Sequence, residues 1–280
     1  MNQTISKAFS QLVESLTPAY DAGEAESIAN ILFEDLLKIS RTDRLVNSEK
    51  SLSELELEQL ESATKRLLSY EPVQHIVGFA YFCEHLFKVT PDTLIPRPET
   101  EELVYLIANE NKGAIKILDI GTGTGCIPIS LKLKIQEAQI SAWDISPEAL
   151  SVAKSNAESL SANVQFELMD ALNITSEEKF DIIVSNPPYI PYSDKASMHQ
   201  NVLDFEPGLA LFVEDKDPLL FYQKIAEFGT TNLNENGKLY FEIHERLGQS
   251  TKEMLLQLGY ENVEILQDLN GKDRMVKAQR

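Results

Sequence analysis

Apolar residues recur at Ile5, Ala8, Phe9, Leu12, Val13 and Leu16, and again at Ala25, Ile28, Ala29, Ile31, Leu32 and Leu36. Steps of three and four place each set on one stripe, so both segments read as amphipathic helices. A third helix is signalled by Ser51 with Glu54 three residues on, the spacing of a capping box, ahead of Leu60, Ala63 and Leu67. Residues 1–70 therefore read as a small helical domain. Beyond Glu71 the period shortens: FAYFC and LFKVT are β-type runs separated by Glu84 and His85, with prolines at 72, 91, 96 and 98 marking the ends. Residues 71–95 read as a β-hairpin linker, and 96–280 as a second, larger domain.

From Glu101 onward, strands and helices alternate. The strand candidates are 114–120, 139–145, 164–170, 180–186 and 237–243. Between the second and third of these, Ser146 is placed to cap a helix that has Pro147 at its first position. Such alternation predicts an α/β fold with a parallel, doubly wound sheet. Residues 260–280 differ, with two strand-like runs joined at Asn270-Gly271, a strong hairpin signal.

Charge and cysteine content narrow the function. The 280 residues carry 25 Lys and Arg against 44 Asp and Glu, a net charge of −19. That balance disfavours stable binding to a phosphate backbone. No apolar run approaches the roughly 18 residues of a membrane span, and the amino terminus lacks a signal-peptide core, so a cytoplasmic protein is expected, as a monomer. Cys83 and Cys126 lie far apart without metal-ligand spacing, and neither a disulfide nor a metal is assigned.

The strand KILDI runs into GTGTGC, the loop Gly121, Thr122, Gly123, Thr124, Gly125. Glycines there permit tight curvature and close approach of a ligand, and the following helix start offers N–H donors. Asp144, at the end of the next strand, is placed to meet a ribose diol. A dinucleotide fingerprint would want glycine at 126, where this chain has Cys126. Asp119 also suits a ligand bearing an ammonium group, so adenosine with an amino-acid tail fits better than a dinucleotide. Asp170 and the Ala171 N–H are candidates for the adenine. In the competing reading Asp144 caps the helix after it, while Asp119 and Asp170 are solvated strand-end carboxylates.

A second motif, SNPPYIP from Ser185, ends the fourth strand. Pro187 and Pro188 cannot continue a ladder, and proline keeps the residue before it extended. In an open α/β sheet this strand end faces the same crevice as the glycine loop. A planar NH2 group would find two acceptors there, the Asn186 side-chain oxygen and the Pro187 carbonyl, with Pro188 beside them and Tyr189 packing on its flat face. The bland reading is that Asn-Pro simply leaves the sheet.

Taken together, LIPRPET (94–100), LDIGTGTG (118–125), SNPPYI (185–190), FEPGLAL (205–211) and GKDRMV (271–276) resemble, in this order, the release-factor glutamine N5-methyltransferase family, the HemK or PrmC type. The resemblance covers essentially the whole chain. It implies a Rossmann-like class I methyltransferase domain with a mostly parallel seven-stranded sheet. S-adenosylmethionine would be held by Asp119, the loop 121–125, Asp144, Asp170, Ala171 and Asn186. Asn186, Pro187 and Tyr189 would be catalytic, and the substrate glutamine would be held by Asn186 to Tyr189 with Arg97. The implied partner is a class I peptide release factor, methylated on its Gly-Gly-Gln loop and docked by the helical domain.

A second reading makes Arg97 an ion-pair partner of Glu99 or Glu101. Glu206 reads as a buttress of the loop after the NPPY motif or as surface. Trp143 reads as core, and His75, His85, His199 and His244 as structural or solvated. Rival functions are methylation of a ribosomal-protein glutamine, of a nucleic-acid base amine, or a translation-factor binding module without activity.

Overall fold

The computed structural model describes residues 3–280. The chain divides into two compact units, one running to Phe79 and including His199–Phe205, the other made of Ala80–Met198 and Glu206–Arg280.

The first unit is helical. Helix α1 (Ile5–Leu16) is capped by the Thr4 hydroxyl, and α2 (Ala22–Ile31) by the Asp21 carboxylate, before the chain widens into a π-helical turn at Leu32–Leu36. Then come α3 (Arg41–Val46), α4 (Glu54–Leu68) and α5 (Val73–Val77), with a short helix at Gln200–Phe205. Leu16, Ala25, Leu32, Phe33 and Leu67 are fully buried in one core, where Phe9 and Phe33 meet edge to face. The cap of α4 is not the expected Ser51 and Glu54. Ser53 and Glu56 form the capping box, because Ser51 is drawn into a bridge with Thr4 and the next N–H, of Leu52, bonds to Gln3. Helix α3, with its own Ser40 and Asp43 box, was not foreseen.

The second unit opens with β1 (Phe79–Phe82) and β2 (His85–Lys88), a two-stranded sheet. Its turn is Cys83-Glu84, one residue before the expected position, and both have positive φ (47° and 71°), as a tight two-residue turn demands. Then come α6 (Pro98–Glu110), β3 (Lys116–Ile120), α7 (Cys126–Lys134), β4 (Gln139–Asp144), α8 (Pro147–Ser159), β5 (Val164–Leu168) and β6 (Phe180–Ser185). A small pair, β7 (Ile190–Pro191) and β8 (Phe212–Val213), lies beyond, followed by β9 (Leu233–Glu242), β10 (Glu261–Gln267) and β11 (Asp273–Gln279).

The main sheet has seven strands in the order β10-β11-β9-β6-β3-β4-β5. From β9 to β5 neighbours are parallel, while β11 runs antiparallel between β9 and β10. The hairpin joining β10 and β11 turns at Asn270-Gly271 as expected, with Gly271 at φ 75° and the Asp268 carboxylate accepting from the Asn270 and Lys272 N–H groups. Period-two alternation divides the core between the two faces. Ile117, Val184 and Tyr240 bury with α6 and α7 on one side. Leu118, Ile183 and Phe241 bury on the other, with Trp143 and the helices Leu220–Asn232 and Gly248–Gln257. Trp143 is core, as expected, against Phe180 and Phe228. The chain winds outward from β3 through β4 to β5, then returns to place β6 on the other side of β3. The switch point thus lies between the ends of β3 and β6, where this class of sheet opens its crevice.

Candidate active site

A cavity of about 340 Å³ occupies that crevice. Its walls include Gly121 and Gly123 after β3, Asp144 to Ser146 after β4, Met169 to Leu172 after β5, and Ser185 to Pro188 after β6. Pro91 to Leu94, Leu209 and Phe221 complete it.

The glycine loop is folded back on β4: the N–H groups of Gly121 and Thr122 both donate to the Trp143 carbonyl, at 2.8 and 3.0 Å. Its three glycines have φ of 80°, 53° and 78°. Their roles differ. A Cβ on Gly121 or Gly123 would meet nothing within 4 Å, so these two leave open space on the cavity side. A Cβ on Gly125 would lie 2.9 Å from Ile129 Cδ1 and 3.1 Å from Ala153 Cβ, so this glycine lets α7 pack closely on α8. Thr122, Thr124 and Gly125 are not part of the cavity lining.

Asp144 does not cap α8. One carboxylate oxygen accepts from the Gly123 N–H at 2.8 Å and the other from the Ser146 N–H at 2.9 Å, while Ser146 itself caps α8. It also lines the cavity. Burial raises its pKa, against the pull of these N–H groups. Asp119 is no solvated strand end: it is 0% exposed and lies beside the Thr122 hydroxyl. Burial pushes its pKa up to about 7, opposed by the Thr122 hydroxyl and assisted by the charge of Asp144. Asp170 accepts from the Leu172 N–H and the Asn173 amide, and lines the cavity with Ala171.

Asn186, Pro187 and Pro188 face the same space. Ser185 anchors their start, its hydroxyl donating to the Ile120 carbonyl at 2.6 Å across the switch point. The Asn186 NH2 donates to the Thr100 hydroxyl at 3.4 Å, and that hydroxyl donates to the buried Glu242 carboxylate at 2.6 Å. Tyr189 is outside the cavity wall, its ring set edge-on to His244 at 6.0 Å, with burial raising its pKa. Arg97 pairs with neither Glu99 nor Glu101. Its guanidinium donates to Glu206 at 2.6 Å, and the other Glu206 oxygen accepts from the Ile95 N–H. The Glu206 side chain is 1% exposed, so it holds the 95–97 segment to the loop after the NPPY motif.

Comparison with known proteins decides the family. Residues 7–78 match the PrmC N-terminal domain, and 100–204 the methyltransferase small domain. The release factor glutamine methyltransferase of Bacteroides thetaiotaomicron is 45% identical over 269 residues, 95% of this chain and 97% of that one. This chain belongs to the release factor glutamine methyltransferase family. That of Flavobacterium psychrophilum is 43% identical over 274 residues, 96% of each chain. In fold, a methyltransferase from Pyrococcus furiosus superposes with a TM-score of 0.55, covering 78% of this chain and 98% of its own at 20% identity. The chain is a methyltransferase with the Rossmann-like fold that the resemblance implied.

Three groups around the methyltransferase cavity were not foreseen. Thr100 and Glu242 support Asn186 from α6 and β9. Asn156 on α8, 1% exposed, binds the Thr124 carbonyl and both backbone groups of Lys88, tying the glycine loop to β2. A buried polar residue on an otherwise apolar helix face was the one signal for Asn156. Thr100 and Glu242 gave none, since each is ordinary at a helix start or a strand end. Among the described residues no His, Cys, Asp and Glu cluster could hold a metal, and none of their helices is long and apolar enough to cross a membrane.

Proposed function

We propose that this chain methylates the side-chain amide nitrogen (N5) of the glutamine in the Gly-Gly-Gln loop of class I peptide release factors, using S-adenosylmethionine. One observation carries the reading: Asn186 lines the same cavity as Gly121, Gly123 and Asp144, and its NH2 is committed to Thr100. The Asn186 oxygen is then the atom left to accept from a substrate.

The residues fit the cofactor. Gly121 and Gly123 leave the space that a side chain would fill, and Asp119, buried outside the cavity lining, is a carboxylate whose charged form a nearby cation would favour. Asp144 would take the ribose, and Asp170 with Ala171 the adenine. When bound, S-adenosylmethionine supplies a methyl group already activated by its sulfonium.

What the protein adds is position. Asn186 Oδ1 and the Pro187 carbonyl would accept the two N–H groups of the substrate amide, holding its plane so that the nitrogen lone pair points toward the cofactor side of the cavity. Two prolines keep these acceptors extended and stiff. No strong base is needed beforehand, because the nitrogen becomes acidic once methylated and its proton leaves to water. Orientation of this kind is worth effective molarities of ~10⁵–10⁸ M. The helical unit would dock the release factor, a role supported by the exposed apolar side chains of Leu45, Val46 and Leu55.

The test is transfer of labelled methyl from S-adenosylmethionine to purified release factor, to its Gln-to-Ala loop variant, and to DNA and rRNA in parallel. Label on the factor that disappears in the loop variant is expected. Label on nucleic acid alone would overturn the reading in favour of a base-amine substrate.

A further inference from the structure

We infer that Thr100 and Glu242 are positioning residues: they form a directional hydrogen-bond relay that fixes which face of the Asn186 amide meets the substrate. The inference deepens the proposed function and rests on it.

An asparagine amide has two ends of nearly equal shape and opposite polarity. Only one orientation serves. With the oxygen toward the cavity it accepts from a substrate amide; rotated by half a turn it would present a second donor and repel the substrate's N–H groups. Nothing within the Asn-Pro-Pro-Tyr motif distinguishes the two. The distinction comes from Thr100 and from Glu242 behind it. The Thr100 hydroxyl has one proton, and at 2.6 Å that proton is held by Glu242. The oxygen of the hydroxyl is then available only as an acceptor, and Asn186 Nδ2 lies 3.4 Å away as its donor.

The relay is sealed. Thr100 is 3% and Glu242 1% exposed, so water does not compete for these bonds. Glu99 on α6, Tyr189, Tyr222 and Arg274 surround Glu242, with Tyr222 donating to its backbone carbonyl at 3.2 Å. Burial pushes the Glu242 pKa up to about 7, while the Thr100 hydroxyl, the Arg274 charge and the Asn186 amide itself favour the ionised carboxylate. Once ionised it cannot donate, and so it enforces the direction Asn186 to Thr100 to Glu242. The final threonine of the LIPRPET run thereby acquires a role, since Pro98 starts α6 and Thr100, two residues on, aims the acceptor.

The experiment is a double-mutant cycle on the full chain at about pH 8, where a carboxylate with that pKa is mostly ionised, reading kcat with saturating S-adenosylmethionine and release factor. Thr100→Val keeps the shape and removes the hydroxyl. It should lower kcat about 10- to 100-fold, by analogy with other residues that orient a reacting ligand from behind. Thr100→Ser, which retains the hydroxyl, should stay within about threefold of wild type. In an Asn186→Ala background the same Thr100→Val change should cost less than about twofold, because the amide it orients is gone. Thr100→Val should leave cofactor affinity by calorimetry unaltered in either background. Equal losses from Thr100→Val in both backgrounds would mean a structural role and overturn the inference, as would an unimpaired Thr100→Val enzyme. A wild-type chain idle on release factor would instead remove the underlying reading, and the inference with it.

Discussion

The two halves of the crevice are built on different principles. On the side of β3, β4 and β5 the walls are strand-end loops whose shape is set by backbone: glycines at positive φ, N–H groups on the Trp143 carbonyl, and Asp144 bonded to backbone on either side of it. On the side of β6 the acceptor motif is held by side chains from far away. Arg97 reaches Glu206 across 109 residues, Thr100 reaches Glu242 across 142, and Asn186 reaches Thr100 across 86. The difference teaches where precision is required. A loop can enclose a cofactor by shape, but choosing one end of an amide needs a charged group brought in from another part of the sheet.

If the halves are separable, Asn186→Ala gives the largest effect. Turnover should fall on the order of 10²–10³, the usual cost of losing one oriented hydrogen bond at a reacting centre. Cofactor affinity measured by calorimetry should stay near wild type, and a matching fall in affinity would mean that the two halves act as one. Gly125→Ala probes the other side. A side chain in a left-handed conformation, pressed against Ile129 and Ala153, should destabilise the protein by about 2–3 kcal/mol. Chemical denaturation reads that loss directly, and an unchanged midpoint would show that α7 and α8 part without penalty.

The smallest effect concerns Asp119. Its pKa is about 7 folded and near 3.8 when exposed, so between these values the folded state holds a proton that the unfolded state has released. Stability from this group therefore falls as pH rises through the window, at a slope of at most about 1.4 kcal/mol per pH unit. Asp119→Asn lacks the slope, so its stability relative to wild type should increase from pH 5 to pH 6.5. Parallel melting curves for the two proteins across that range would sink the assignment. A cationic ligand that stabilises the carboxylate should reverse the trend in the wild type alone.

Legibility in the sequence follows the same division. The glycine loop and the NPPY motif were readable because each is a few consecutive residues whose backbone restrictions act locally. The parallel sheet was readable because each strand repeats its own pattern. Ser51 and Glu54 misled because SLSELE offers two boxes in overlapping register, and contacts of Ser51 and Leu52 with the residues before α1 chose the second. The partners of Thr100 and Arg97 were invisible for a plainer reason. Glu206 was readable as a buttress, but neither it nor Glu242 carries any mark of which distant residue the fold sets opposite it.

Strand order also sets a schedule. Ribosomes add about 5–20 residues per second, so Glu242 is made roughly 7 to 30 seconds after Thr100. In that interval β3, β4 and β5 are already available to pair, while the carboxylate that aims Asn186 does not yet exist. An unfinished chain can thus assemble the glycine-loop side of the crevice well before Thr100 and Asn186 gain the carboxylate behind them. The side of the crevice that carries Asn186 is completed after the side that carries the glycine loop.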